Sequence, residues 1–173
     1  MAALAEQKSS ILIIADEYGL GYVFINKLLE LGHEVIAVGR NKAKLDHFTV
    51  ENPRLRTVLT NVDNENDRIA LYQRVLADYP EVNVLVYDAG VHHFLPPLQD
   101  TTDKIWTNHM EEISSNLVAP MHLSELFMEH LASKSHAMII NVSSCFAFFP
   151  YSNFPMYCAA KCSNYDMILC VWT

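Results

Sequence analysis

The feature that most constrains this chain is a repeated cycle: a short apolar run of strand length, a turn, then a segment of helical periodicity. Ile11–Ala15 is an unbroken apolar run, followed by a turn holding Gly19 and Gly21. Tyr22–Leu31 then carries Val23, Phe24, Leu28 and Leu31 in helical spacing, and Gly32 sits just past its end, where glycine commonly closes a helix. The cycle recurs with strands at Val35–Val38, Leu55–Leu59 and Val82–Val86, and with helices at Lys42–Phe48 and Glu65–Tyr79, the latter stopped by Pro80. A loop containing Pro96 and Pro97 leads into helical segments from about Asp103 to Leu131. A fifth strand is expected at Ala137–Val142 and a last helix from Met156 to about Trp172.

Strands apolar on both faces, alternating with amphipathic helices, imply a parallel sheet covered on both sides. Right-handed crossovers then leave a doubly wound α/β sheet in strand order 3-2-1-4-5. The 173 residues, 51% of them hydrophobic, suffice for one buried core, and no repeat or linker divides them, so residues 1–173 are expected to form a single domain. A formal charge of −8 with no Lys/Arg cluster argues against nucleic acid or an anionic membrane as partner. No apolar run reaches the roughly 20 residues of a membrane span, and Met1–Ser10 lacks the pattern of a secretory leader. A cytoplasmic protein is the expectation. Cys145, Cys158, Cys162 and Cys170 form no Cys-x-x-Cys pair and are read as small buried thiols, with no metal site expected.

The chemistry concentrates at the carboxyl end. Asn141-Val-Ser-Ser144 closes the fifth strand, and Tyr157-Cys-Ala-Ala-Lys161 opens the last helix. Tyr and Lys four residues apart share a helix face, so an ammonium can sit near the phenol and lower its pKa toward working pH. A phenol so placed suits proton exchange with a substrate oxygen. Ser144, thirteen residues upstream at a strand end, can donate a hydrogen bond to that oxygen.

With these residues in place the chain resembles a short-chain dehydrogenase/reductase, in particular the DltE-like group of oxidoreductases, whose Ser-Ser stretch runs on into Phe-Ala-Phe and a Pro. The resemblance implies a Rossmann-type domain and an NAD(P)-dependent oxidoreductase that interconverts a carbonyl and an alcohol by hydride transfer. It assigns Tyr157 as acid/base, Lys161 as its modulator and a ligand of the nicotinamide ribose, and Ser144 as the group that orients the carbonyl. Asn116, in Ser114-Ser-Asn-Leu-Val-Ala-Pro120, matches the helix asparagine that holds a proton-relay water.

The cofactor motifs depart further from the family pattern. Its Thr-Gly-x-x-x-Gly-x-Gly aligns with Ile14-Ala15-Asp16-Glu17-Tyr18-Gly19-Leu20-Gly21. Gly19 and Gly21 keep the close turn into a helix whose amino end faces a pyrophosphate. Ala15 replaces the glycine of the tight turn, and Asp16 and Glu17 bring carboxylates to where phosphates rest. One such charge about 5 Å from a phosphate costs roughly 3 kcal/mol at an effective dielectric near 20. The family's Asn-Asn-Ala-Gly is Tyr87-Asp-Ala89-Gly90 here, and the pair flanking adenine is Asn61-Val62. Arg40, ending the second strand, can pair with a 2′-phosphate and favours NADP over NAD. Glu17 opposes that preference.

His92 and His93 follow Gly90 near the expected cleft and read either as substrate contacts or as exposed loop residues. Phe146, Phe148, Phe149 and Tyr151 read either as a substrate wall or as core. Against the family pattern the chain stops short at Thr173. It is expected to lack the sixth and seventh strands and the substrate loop between them, leaving the fifth strand as an open edge. The partners expected are a small carbonyl or alcohol and a second copy of the chain, docked through the helix of about Ser114–Leu131 and the one after Tyr157. The altered loop and the short length also leave open a non-catalytic interaction or nucleotide-sensing role.

Overall fold

A computed structural model describes residues 8–15, 19–94 and 103–171. Five strands form one sheet: β1 (Ser10–Ile14), β2 (Glu34–Gly39), β3 (Arg56–Leu59), β4 (Val82–Tyr87) and β5 (Met138–Asn141). Their order is β3-β2-β1-β4-β5 and every pairing is parallel, as the alternating pattern requires. Between them run α1 (Leu20–Glu30), α2 (Lys42–Glu51), α3 (Glu65–Asp78), α4 (Asp103–Ile113), α5 (Ala119–Ala132) and, after β5, α6 (Pro155–Val171).

The central strand shows why the sheet is covered on both faces. Leu12 and Ile14 point to one side, joining Leu71 and Val75 of α3 and Leu123 and Phe127 of α5. Ile11 and Ile13 point to the other, joining Ile25 and Leu29 of α1 and Phe48 of α2. With a side-chain period of two, a strand buried on both faces must be apolar throughout, and β1 is. Order 3-2-1-4-5 reverses direction between β1 and β4, so a crevice opens there at the carboxyl ends of the strands. Ile14 O accepts from both Asp88 N and Ala89 N, at 2.8 and 3.0 Å, which fixes the loop after β4 against the end of β1.

Three local features differ from expectation. The expected helical stretch of 103–131 is broken by a π turn at Ser114–Val118, where Ala119 N–H donates to Ser114 O, five residues back. Pro120 explains it: the residue has no N–H to offer Asn116 O, and its ring crowds that carbonyl in a regular helix. Ser115 O, left without its helical donor, accepts from Tyr87 Oη at 2.7 Å. Second, β1 is shifted one residue toward the amino end of its apolar run, β3 begins one residue later than its run, and Ala15 lies just beyond β1 with its N–H on Val38 O at 3.3 Å. Third, Cys158 is buried as expected, whereas Cys145 and Cys162 are exposed. Asp16, Glu17, Tyr18, Pro96, Pro97 and Trp172 lie outside the described residues.

Candidate active site

The loop after β5 and the first turns of α6 carry the expected proton-transfer group. Ser144 ends the extended segment, and its side chain caps a short 3-10 turn (Cys145–Ala147) by accepting from Phe146 N at 3.2 Å. Tyr157 is half-buried at the start of α6 and is hydrogen-bonded to Ser144. Four residues on, Lys161 is buried, its Nζ donating to Val142 O at 2.9 Å and lying 5.7 Å from the centre of the Tyr157 ring. Ser143 Oγ donates to Lys161 O at 3.0 Å, tying the end of β5 to this turn of α6.

The expected depression of the Tyr157 pKa by Lys161 is not found. Burial pushes the phenol above its ordinary value, the Ser144 hydrogen bond pulls it down, and Cys145, Cys158 and Asp88 push it up. Lys161 is itself shifted downward by burial, partly countered by Asp88, and its ammonium is engaged by a carbonyl. The physical reason is that desolvation disfavours both charged forms, and an ammonium held by Val142 O does not offset it for the phenol. A phenol whose pKa rises on folding contributes stability below the ordinary tyrosine value, and that contribution is lost as pH rises through the raised value. In an absorbance titration, one tyrosine is therefore expected to ionise above the ordinary range and to vanish from the curve in Tyr157→Phe. A tyrosine ionising below that range and lost in the same variant would contradict the assignment.

Asn116 sits in the π turn, fully buried. Its Nδ2 donates to Val91 O at 2.6 Å and to Glu112 O at 2.8 Å, while its Oδ1 has no partner among the described residues. Gly90 explains the closeness of this packing. A Cβ at position 90 would stand 2.3 Å from Asn116 Oδ1 and 3.5 Å from Lys161 Nζ. The bare backbone at Gly90 thus lets the loop after β4 pass between Asn116 and Lys161.

Of the residues expected from sequence to hold a cofactor, six share a slot at the switch point, whereas Gly19, Leu20, Gly21, Tyr157 and Lys161 do not line it. Ala15, Arg40, Asn61, Val62, Ala89 and Gly90 all line it, and its free volume is about 30 Å³. Gly19 adopts φ +67°, a left-handed conformation open to glycine, and Leu20 then opens α1; among the described residues no side chain caps its first N–H groups. Gly21 is buried in the first turn of that helix. Arg40 is paired rather than free: its Nη1 lies 3.7 Å from Asp63 Oδ2 and 3.9 Å from Glu111 Oε1. Asp63 in turn accepts from Ser115 Oγ. These partners lie 23 and 71 positions further along the chain, and no local pattern announces them.

The two histidines after Gly90 divide their roles. His93 is anchored, with Nε2 2.8 Å from Glu111 Oε2 and its N–H donating to buried Glu112 Oε1 at 2.6 Å. His92 faces the site, its ring centre 5.6 Å from that of Tyr157 and 5.3 Å from that of Phe154. Phe146 also meets Tyr157, at 6.5 Å, while Phe148 packs on Tyr165 at 4.9 Å and Phe149 is 77% exposed. Of the four aromatic residues suspected of walling a pocket, Phe146 and Tyr151 join the ring cluster beside Tyr157. Phe154, which sequence reasoning missed, is its centre.

Comparison with known proteins adds to this geometry. The family described as short chain dehydrogenase matches residues 9–169. An uncharacterized oxidoreductase, DltE of Bacillus subtilis, is 36% identical over 161 residues, covering 93% of this chain and 63% of that protein. A short-chain dehydrogenase of Streptomyces avermitilis superposes with a TM-score of 0.83 at 20% identity, over 93% of this chain and 58% of the other. A protein of Shigella flexneri, a putative short chain dehydrogenase complexed with NADP, gives 0.79 at 20% identity, over 92% and 69%. At these identities the structural likenesses show the fold. The chain spans between 54 and 63% of the length of the first curated relatives it matches.

Proposed function

Because this chain belongs to the short-chain dehydrogenase family, we propose that its crevice binds a nicotinamide dinucleotide and that Tyr157, Ser144, Lys161 and Asn116 serve the interconversion of a carbonyl and an alcohol. Family membership and an oxidoreductase relative support NAD(P)-dependent oxidoreduction in general. The observation that carries the finer reading is the gathering of those four side chains around Tyr157 and Gly90, at the carboxyl ends of β4 and β5 beside the switch point.

The residues fit the cofactor. The backbone at Gly90 packs directly on Asn116 and close to Lys161, with no side chain of its own between them. Lys161 is buried with a donor at that point. The uncapped N–H groups opening α1 offer donors to a pyrophosphate. When bound, the nicotinamide supplies or accepts the hydride. The chain's own residues handle the proton: in reduction, Tyr157 Oη gives its proton to the carbonyl oxygen, with Lys161 Nζ 5.7 Å from the ring centre as the nearby cation. Ser144 turns its one O–H from the phenol to the same oxygen and orients it. Burial raises the phenol further above neutrality, so Tyr157 stands ready in its protonated form as the acid of carbonyl reduction.

Arg40 decides the choice of cofactor. A 2′-phosphate must compete with Asp63 and Glu111 for its guanidinium, and pairs this exposed are worth about 0.2–1 kcal/mol each. Calorimetric titration is therefore expected to show NADPH binding tighter than NADH by less than about tenfold, with the preference erased in Arg40→Ala and enlarged in Glu111→Gln. Equal binding of both dinucleotides in all three proteins would remove Arg40 from recognition. The narrow slot and the engaged Arg40 favour the second reading, a non-catalytic scaffold. Failure to bind either dinucleotide would establish that reading over the first.

A further inference from the structure

Five aromatic side chains crowd together beside Tyr157 and belong to none of the steps above. Phe154 lies at their centre. Its ring stands perpendicular to His92 at 5.3 Å and to Phe94 at 5.7 Å, and close to parallel with Phe146 at 6.1 Å. Tyr151 stacks on Phe146 at 5.8 Å with an angle of 15° and leans on Phe154 at the same separation. His92 and Phe146 both extend the array onto the ring of Tyr157 itself.

These rings are not core. Phe94 is 62% exposed and Tyr151 49%, values that leave large aromatic surface in contact with water. Apolar surface gathered in one place on a folded chain marks a binding surface more often than scattered apolar residues do. Phe94, Phe146, Tyr151 and Phe154 meet ring to ring, so the patch presents both ring edges and ring faces. Edge-to-face and offset contacts select other rings, because a ring edge is electropositive and a ring face electronegative.

Resting on the reading of Tyr157 as proton donor, we propose that this aromatic floor binds the ring of the substrate, and that the substrate is an aryl ketone or aryl carbinol. Tyr157 belongs to both the floor and the Ser144 hydrogen bond. A ring lying on His92 and Phe154 therefore carries an attached carbonyl toward the phenol and Ser144. A branched aliphatic ketone of equal size gains the same apolar burial but none of the ring-to-ring term, which is worth a factor of roughly 2 to 10 in affinity.

Acetophenone and cyclohexyl methyl ketone separate the two terms, since they share size and carbonyl and differ in the ring. Ligand-detected NMR titration of the full chain, with and without NADP present, reads their dissociation constants; NADPH consumption reads their turnover. Acetophenone is expected to bind about fivefold more tightly. The ratio should fall to near one in Phe154→Leu, and also in Phe94→Leu, whose exposed position makes loss of folding a poor explanation. Phe149→Leu, outside the network, should keep it. Equal affinities in the wild type would overturn the aryl assignment even if both ketones are reduced, and the reductase reading would then stand alone. Preferential binding of acetophenone without its reduction, while NADPH binds, would uphold the aromatic site and overturn the role of Tyr157.

Discussion

Replacing Tyr157 by Phe is expected to lower turnover by about 10²–10⁴-fold, the usual worth of a positioned general acid. Dinucleotide affinity should barely change. The substitution removes one oxygen, the one bonded to Ser144, and keeps the ring that packs against His92 and Phe146. Lys161→Ala should behave differently. Its Nζ lies beside both the Tyr157 ring and the backbone at Gly90, so its loss should weaken dinucleotide binding as well as turnover. Steady-state rates and calorimetric affinities for the two variants make the comparison. A Tyr157→Phe protein that keeps most of the wild-type rate would take the phenol out of the mechanism.

Gly90→Ala should be strongly destabilising. The added carbon would sit 2.3 Å from Asn116 Oδ1 and 3.4 Å from its Cγ. Asn116 cannot turn aside freely, being fully buried and held by two hydrogen bonds from Nδ2. Overpacking of this kind costs about 1–3 kcal/mol, and each hydrogen bond given up adds about 1 kcal/mol. For a chain this long each kcal/mol lowers the melting temperature by roughly 2–4 °C. The collision also disturbs the site, so dinucleotide binding should fall with stability. A double variant with Asn116→Ala removes the atom struck, and it should be less destabilised than the two single changes added together. Strict additivity in thermal melts would mean that the loop after β4 moves away at little cost.

The two predictions rest on different kinds of knowledge. Tyr157, Lys161 and Ser144 were legible in the sequence because their separation is fixed locally. Four residues on a helix share a face, and a strand end followed by a short connection leaves few places for the serine. The sheet order was legible for a similar reason: strands apolar on both faces with helices between them admit few topologies. The π turn that presents Asn116 had a signal, Pro120 four residues later, which a plain reading of helical periodicity passes over. The pairing of Arg40 could not be read locally, because its partners Asp63 and Glu111 come from the loop after β3 and from α4. The aromatic floor was half seen. Phe146 and Tyr151 are near the Ser-Ser segment, but His92 and Phe94 reach Phe154 across some sixty residues, and only the folded sheet brings the loop after β4 against α6. The direction of the Tyr157 shift was misread because spacing reports the neighbour and not the burial.

If the crevice brings a nicotinamide and a carbonyl together at Tyr157, an isotope on the first must pass to the second. The measurement incubates the chain with NADPH deuterated at the transferring carbon and an aryl ketone, and locates the label by NMR. The account predicts deuterium on the carbinol carbon of the product with the wild type, and almost none with Tyr157→Phe at equal dinucleotide occupancy. Bound NADPH whose label stays in place with every ketone offered would contradict it.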